Sequence, residues 1–199
     1  MEEIKYKAGK INIESDDNDI ISSFLNGNES AFNLIVLKYQ KKIYWIIRKM
    51  VIDHDDADDI TQEVFIKLYR SLGNFRGDSA LYTYLYRMAV NYALNHLKKN
   101  KLINSRIMNF DEESYRLKSD GENIDEKLDA NEKTRLLKKA ISGLPDKQMA
   151  VFNMRFYDNL SYDEISKILK TSTGGLKANY FHAVKKIGQI INNKKGFAL

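Results

Sequence analysis

Apolar residues recur at three- and four-residue spacing in two blocks of this chain, residues 19–101 and 131–193, and the segment between them loses the pattern. No other feature narrows the fold as much. Such spacing gathers apolar groups on one side of a helix, so each block reads as a bundle of amphipathic helices. No stretch alternates apolar and polar residues long enough to make a half-buried strand. The intervening segment contains Asp111-Glu-Glu-Ser and Ser119-Asp-Gly-Glu-Asn and few large apolar groups, the composition of a linker rather than a core. The expected architecture is all-α. It has an N-terminal tail 1–18, a helical domain 19–102, a flexible acidic linker 103–130, a second helical domain 131–193 and a short tail 194–199 without an assigned role.

Within the first block the period predicts helices over 19–26, 29–50, 56–72 and 79–101. The third closes at Gly73-Asn74. The fourth is entered through Asn74-Phe-Arg-Gly-Asp-Ser79, where Ser79 or Asp78 can cap it. In the second block Gly143-Leu-Pro145 ends one helix and sets Pro145 at the start of the next.

Composition removes several function classes. Cys is absent, which excludes disulfides, thiolate zinc sites and Cys nucleophiles and fits a reducing cytoplasm. No apolar run reaches the roughly 18 residues of a membrane span, so no membrane insertion is expected. The N-terminus lacks the basic and apolar stretches of a secretory signal. Net charge is +5, which permits a polyanionic partner. The distribution says more: cations gather at 98–101 and 177–195, acids at 53–59 and 111–129.

Ser161-Tyr-Asp-Glu164 has the form of a capping box, in which the Ser hydroxyl and the Glu carboxylate satisfy each other's backbone amides. Ile165, Ile168 and Leu169 follow as one apolar stripe. After a turn at Thr171-Ser-Thr-Gly174, a second stripe runs through Leu176, Tyr180, Ala183 and Ile187. Gly175, Lys177, Ala178, Asn179, His182, Lys185 and Lys186 are left facing outward. A short helix, a tight turn and a second helix with small, polar and basic outward groups is the geometry that sets a helix in the major groove. Lys177, Lys185 and Lys186 suit phosphates, and Asn179 and His182 can reach base edges. A helical hairpin with an ordinary solvated face has the same pattern. A metal role for His182 is not expected, since the three His stand apart at 54, 96 and 182.

In the first block, Asp56, Asp59, Glu63 and Arg70 share one helix face with Ile66 beside them, opposite the core stripe Val64, Phe65, Leu68 and Leu72. That face is either solvated or a docking surface. The acidic run Asp53-His-Asp-Asp-Ala-Asp-Asp59 also suggests a metal-dependent phosphohydrolase. Consecutive carboxylates point around a helix instead of converging, however, and no second cluster completes a site. On the last helix of the block, Leu81, Leu85, Met88 and Tyr92 form the apolar stripe, while Tyr84, Arg87, Asn91 and Lys98 fall on another face. A ring, two cations and an amide suit separated DNA strands, where rings stack on unpaired bases and cations hold the backbone. An amphipathic helix with an incidental Tyr would look alike.

Taken together, the quoted residues resemble a known family. Ala31-Phe-Asn-Leu-Ile-Val-Leu-Lys-Tyr39, Asp56-Ala-Asp-Asp-Ile-Thr-Gln-Glu-Val-Phe65 and the run from Phe75 through Asn91 resemble, in order, region two of extracytoplasmic-function sigma factors of the sigma-70 family. Leu144-Pro145, Leu160-Ser-Tyr-Asp-Glu-Ile-Ser-Lys-Ile-Leu169 and the run from Gly174 to Lys186 resemble their region four. The resemblance implies a non-catalytic, cytoplasmic promoter-specificity subunit without cofactor or metal. It would bind core RNA polymerase through the β′ clamp helices and the β flap, and an anti-sigma factor is a possible further partner. It implies that Asp56, Asp59, Gln62, Glu63 and Ile66 dock on the clamp helices. Phe75, Arg76, Asp78, Ser79, Tyr84, Arg87, Asn91 and Lys98 would serve the −10 element: the loop 75–80 captures a flipped base, Tyr84 lies near the point of strand opening and Asn91 helps read sequence. Thr173, Gly175, Lys177, Ala178, Asn179, His182, Lys185 and Lys186 would serve the −35 element as duplex, and the acidic linker would thread toward the active-site and RNA-exit channels.

The chain departs from the family pattern at several of these positions. Tyr84 stands where Trp is usual, and Lys170 replaces a common Gly in the turn, where a left-handed backbone would be strained. Ala178, Asn179 and His182 stand where Ser, Arg and Arg are frequent, which implies a different −35 preference, weaker binding, or both. The rival reading is a conventional helix-turn-helix regulator that binds duplex DNA without polymerase. It leaves the segment 75–91 and the acidic face unexplained.

Overall fold

The computed structural model describes residues 11–51, 53–75, 77, 79–108 and 130–195. Among the described residues every regular element is helical. They divide into two compact units, one running to Lys49 and over Asp53–Ala89, the other taking Met50–Ile52 and the residues from Val90 on, so that one boundary falls inside a long helix.

In the first unit, α1 (Asp17–Leu25) starts where the Asp16 carboxylate accepts the Asn18 amide at 2.8 Å. It packs on α2 (Ser30–Arg48), and α2 packs on α3 (His54–Ser71). A 3-10 turn, Leu72–Asn74, follows, and then α4 (Leu81–Met108), which belongs to this unit as far as Ala89. Ile20, Ile35, Ile43, Ile47, Val64, Leu68, Leu72, Leu81 and Leu85 are fully buried and make the core.

The acidic run before α3 builds a helix start. Asp53 Oδ1 accepts the amides of Asp55 and Asp56 at 2.8 and 3.1 Å, and His54 Nδ1 lies 3.0 Å from Asp58 Oδ2 one turn on. Acids there also meet the positive end of the helix dipole. Among the described residues no group of three His, Asp or Glu is placed to hold a metal.

Both ends of α4 differ from expectation. It begins two residues later, and the Ala80 carbonyl accepts its first bond, from the Tyr84 amide at 3.2 Å. Ser79 therefore precedes the capping position, and Asp78, the other proposed cap, lies outside the described residues. At the far end the helix continues through residues 103–108, assigned above to the linker. Ile-Asn-Ser-Arg-Ile-Met contains neither Gly nor Pro, so nothing local ends the helix there. The acidic part of the linker, residues 109–129, lies outside the described residues.

In the second unit, α5 (Ala130–Ser142), α6 (Asp146–Phe156) and α7 (Tyr162–Leu169) each pack on α8 (Thr173–Lys195). Pro145 is the residue before α6, its φ of −57° already suited to a helix start. The capping box at α7 is complete. Ser161 Oγ accepts the Glu164 amide at 3.2 Å, and Glu164 Oε2 accepts the Ser161 amide at 2.7 Å. Ser161 Oγ also donates to Glu164 Oε2 at 2.7 Å, and this bond, followed by that from the Ser161 amide, holds the Glu164 carboxyl below its usual range. Lys170 ends α7 in the left-handed region, φ 52° and ψ 45°, the conformation expected from the missing Gly.

The turn between α7 and α8 is shorter than expected. Thr173 and Gly174 already belong to α8, and Ser172 caps it: its carbonyl accepts the Leu176 amide at 3.0 Å and its Oγ the Gly175 amide at 3.3 Å. Leu176, Ala183 and Ile187 are buried as expected, and Tyr180 is half-buried.

Candidate nucleic-acid interface

Three surfaces carry the residues singled out by sequence. The first is the outer face of α3. Its inner face buries Ala57, Ile60, Thr61, Val64, Phe65 and Leu68, which fixes the outward direction of the rest. Asp59, Gln62 and Glu63 are exposed and Asp56 is half-buried. Ile66 is 51% exposed among them, an apolar side chain set in a polar face. A lone exposed Ile is unremarkable. Beside three carboxylates, it makes a surface able to take a partner with both cationic and apolar groups.

The second surface lies at the start of α4. Phe75 and Tyr84 rings meet at 5.3 Å, the Arg87 guanidinium sits 5.5 Å from the Tyr84 ring, and the Tyr84 hydroxyl is 3.4 Å from Ser71 Oγ. The sequence grouped these residues on one side of the helix. The structure adds that Phe75 reaches back from the loop, so ring, ring and cation form one cluster. Gly77 turns the loop at φ +73°, a conformation costly for a side-chain-bearing residue. Ser79 is exposed, and Arg76 and Asp78 lie outside the described residues. Asn91 and Lys98 are exposed farther along α4. The cluster offers a stacking surface with a fixed positive charge beside it.

The third surface is the outer side of α8. Lys177, Ala178, His182 and Lys185 are exposed, and Thr173 and Gly175 are half-buried. Two expected contacts are engaged within the protein instead. Asn179 Nδ2 donates to the Gly175 carbonyl at 2.9 Å, and Lys186 Nζ donates to the Gly143 carbonyl at 3.0 Å. Lys186 thus ties α8 to the turn after α5, and Asn179 spends one of its two amide protons on its own helix backbone.

Phe181 and Val184 were missed. They are 63% and 45% exposed and sit beside the cations. The signal was available, because at about 100° per residue Phe181 lies roughly 140° from Leu176, whereas Asn179 lies only about 60° away. Attention to polar groups hid an apolar side chain on the outward face. Such a group can contact a thymine methyl.

Known proteins resemble this chain over most of its length. Residues 35–103 match the model of sigma-70 region 2, and residues 134–187 match that of sigma-70 region 4. The chain is 34% identical over 184 residues to the RNA polymerase sigma-H factor of Pseudomonas aeruginosa, an alignment covering 89% of this chain and 95% of that protein. It is 34% identical over 179 residues to the ECF RNA polymerase sigma-E factor of Escherichia coli K12, covering 86% and 92%. Among solved structures, the sigma factor RpoE in complex with the anti-sigma factor NepR from Bartonella quintana shares the fold. Its TM-score is 0.60 at 17% identity, over 81% of this chain and 96% of that one.

Proposed function

Because this chain belongs to the extracytoplasmic-function branch of the sigma-70 family, we infer that it is a promoter-specificity subunit of RNA polymerase. It binds the core enzyme, recognises −35 and −10 elements and assists strand opening. The observation that carries this is the presence of both family regions, in order, in one chain. Catalysis belongs to the polymerase; the chain supplies recognition. Its place of action is the cytoplasm, where polymerase and chromosome meet. An anti-sigma factor is its expected regulator, in keeping with the complex formed by the structural relative.

The three surfaces divide the work. Asp56, Asp59, Gln62, Glu63 and Ile66 of α3 dock on the β′ clamp helices, and the region-four unit meets the β flap. Phe75, Tyr84 and Arg87, with Arg76, Asp78, Ser79, Asn91 and Lys98, hold the −10 strand once it is single. Trapping a base outside the stack offsets the few kcal/mol, in order of magnitude, that unstacking it costs. Thr173, Gly175, Lys177, Ala178, Asn179, His182, Lys185 and Lys186 line the −35 duplex. Lys186 supports this as a tether of α8 as well as a cation.

The test is polymerase dependence. Each DNA surface is modest alone, and two of them act together only where polymerase fixes their spacing. Full-length protein should co-purify with core polymerase and protect promoter DNA only in that complex. Tight protection of duplex DNA by the protein alone would point instead to a polymerase-independent regulator.

A further inference from the structure

The start of α4 carries a second ring-and-cation cluster on the side opposite Tyr84. The Tyr39 and Tyr82 rings stack with centroids 5.9 Å apart and planes 24° from parallel. Lys42 Nζ lies 5.7 Å from the first ring and 5.8 Å from the second. Tyr86 closes the cluster edge-on to Tyr82 at 6.1 Å. Tyr39 is buried, and its hydroxyl donates to Asp17 Oδ2 at 2.7 Å. Lys38 reaches the same carboxylate from its other oxygen, 2.8 Å from Oδ1. The lower ring is therefore fixed from two sides. Tyr82, resting on it, is 37% exposed, and Lys42 is exposed beside it.

A buried core would need neither the exposed ring nor the exposed cation. An exposed aromatic ring on a rigid support, with a lysine at its edge, suits sequence-tolerant binding of a single strand: a π-face for a base and a charge for a flanking phosphate. Position favours the same ligand. Tyr82 and Tyr84 are about 200° apart around a helix roughly 10 Å across, so both flank its first turn just after the loop 75–80. A few nucleotides of strand bending around that turn would pass from one ring cluster to the other.

We propose that Tyr82, backed by Tyr39 and edged by Lys42, is a second base-stacking position for the single-stranded promoter DNA opened at the −10 element. The proposal rests on the sigma reading above. It adds a contact for the same strand on the far side of α4.

The experiment uses holoenzyme assembled from the full chain and its cognate core polymerase. The probes are single-stranded −10 oligonucleotides with 2-aminopurine placed at each position in turn. Stacking on a ring quenches the probe. Tyr82→Ala should abolish quenching at one position and lower affinity about five-fold or more, the lower end for one base–ring stack. Tyr84→Ala should abolish quenching at a different position, and Tyr82→Phe should retain the wild-type pattern. Lys42→Gln, which leaves the ring packing in place, should weaken binding and flatten its salt dependence by about one phosphate contact. That variant decides the matter if Tyr82→Ala does not fold. Wild-type affinity and quenching in folded Tyr82→Ala, or an unchanged salt slope in Lys42→Gln, would overturn the proposal. So would a loss confined to assembly with core polymerase, which would mark a protein contact. If wild-type holoenzyme binds none of the oligonucleotides, the sigma reading itself falls and takes this proposal with it.

Discussion

Lys170 holds a left-handed backbone that costs an L-residue about 1–2 kcal/mol and a glycine far less. Lys170→Gly should stabilise the α7–α8 turn by about 1 kcal/mol, read as increased hydrogen-exchange protection of the α7 amides. No gain would mean that side-chain contacts of Lys170 offset the strain. Glu164 gives a pH test. Its folded-state carboxyl titrates below the usual value because Ser161 hydroxyl and amide bind the charged form. Its contribution is therefore fully present above an ordinary glutamate pKa, about 4.3, and is lost as pH falls through the lower folded value. The stability difference between wild type and Glu164→Gln should be constant at neutral pH and shrink as pH drops below about 4. Both features were legible in the sequence, since a capping box and a missing turn glycine are local. Ser172 is local too, but the expected turn runs two residues too long, and the cap falls inside it.

At the scale of elements, α3 is an instructive helix because one face is settled by burial and the other only by reading. Reversing charge at Asp59 and Glu63, both exposed, should leave helicity and thermal midpoint unchanged and weaken core-polymerase binding at least ten-fold in pull-down or anisotropy. Undiminished binding would remove α3 as the docking face. On α8, His182 is exposed where the family frequently has Arg. His182→Arg should tighten −35 duplex binding by holoenzyme and steepen the log–log salt slope by about one; an unchanged slope would place that side chain away from phosphate. The periodicity located these helices well because burial on one side repeats every turn. It erred at the far end of α4, where a stretch without Gly or Pro continues the helix past residue 102. It also passed over Phe181, because exposure of an apolar residue is set by wheel position and not by chemistry.

At the scale of the molecule, neither unit explains the function alone. The helix-turn-helix of the second would serve many duplex binders, and the ring clusters at the start of α4 would serve many single-strand binders. Order along one chain is what joins them, and that order was legible because each unit keeps its motifs in short contiguous runs. What the sequence left open was which side chains are already engaged. Asn179 and Lys186 carry the right chemistry for DNA, yet bond to carbonyls of their own unit. The central claim is that this chain confers promoter choice on polymerase. It is tested most directly by run-off transcription with purified core enzyme across a library of randomised promoters, with and without the protein. The account predicts specific initiation only when the protein is present, from templates sharing two motifs at one fixed spacing. Initiation indifferent to the protein, or transcripts that share no paired motifs, would contradict it.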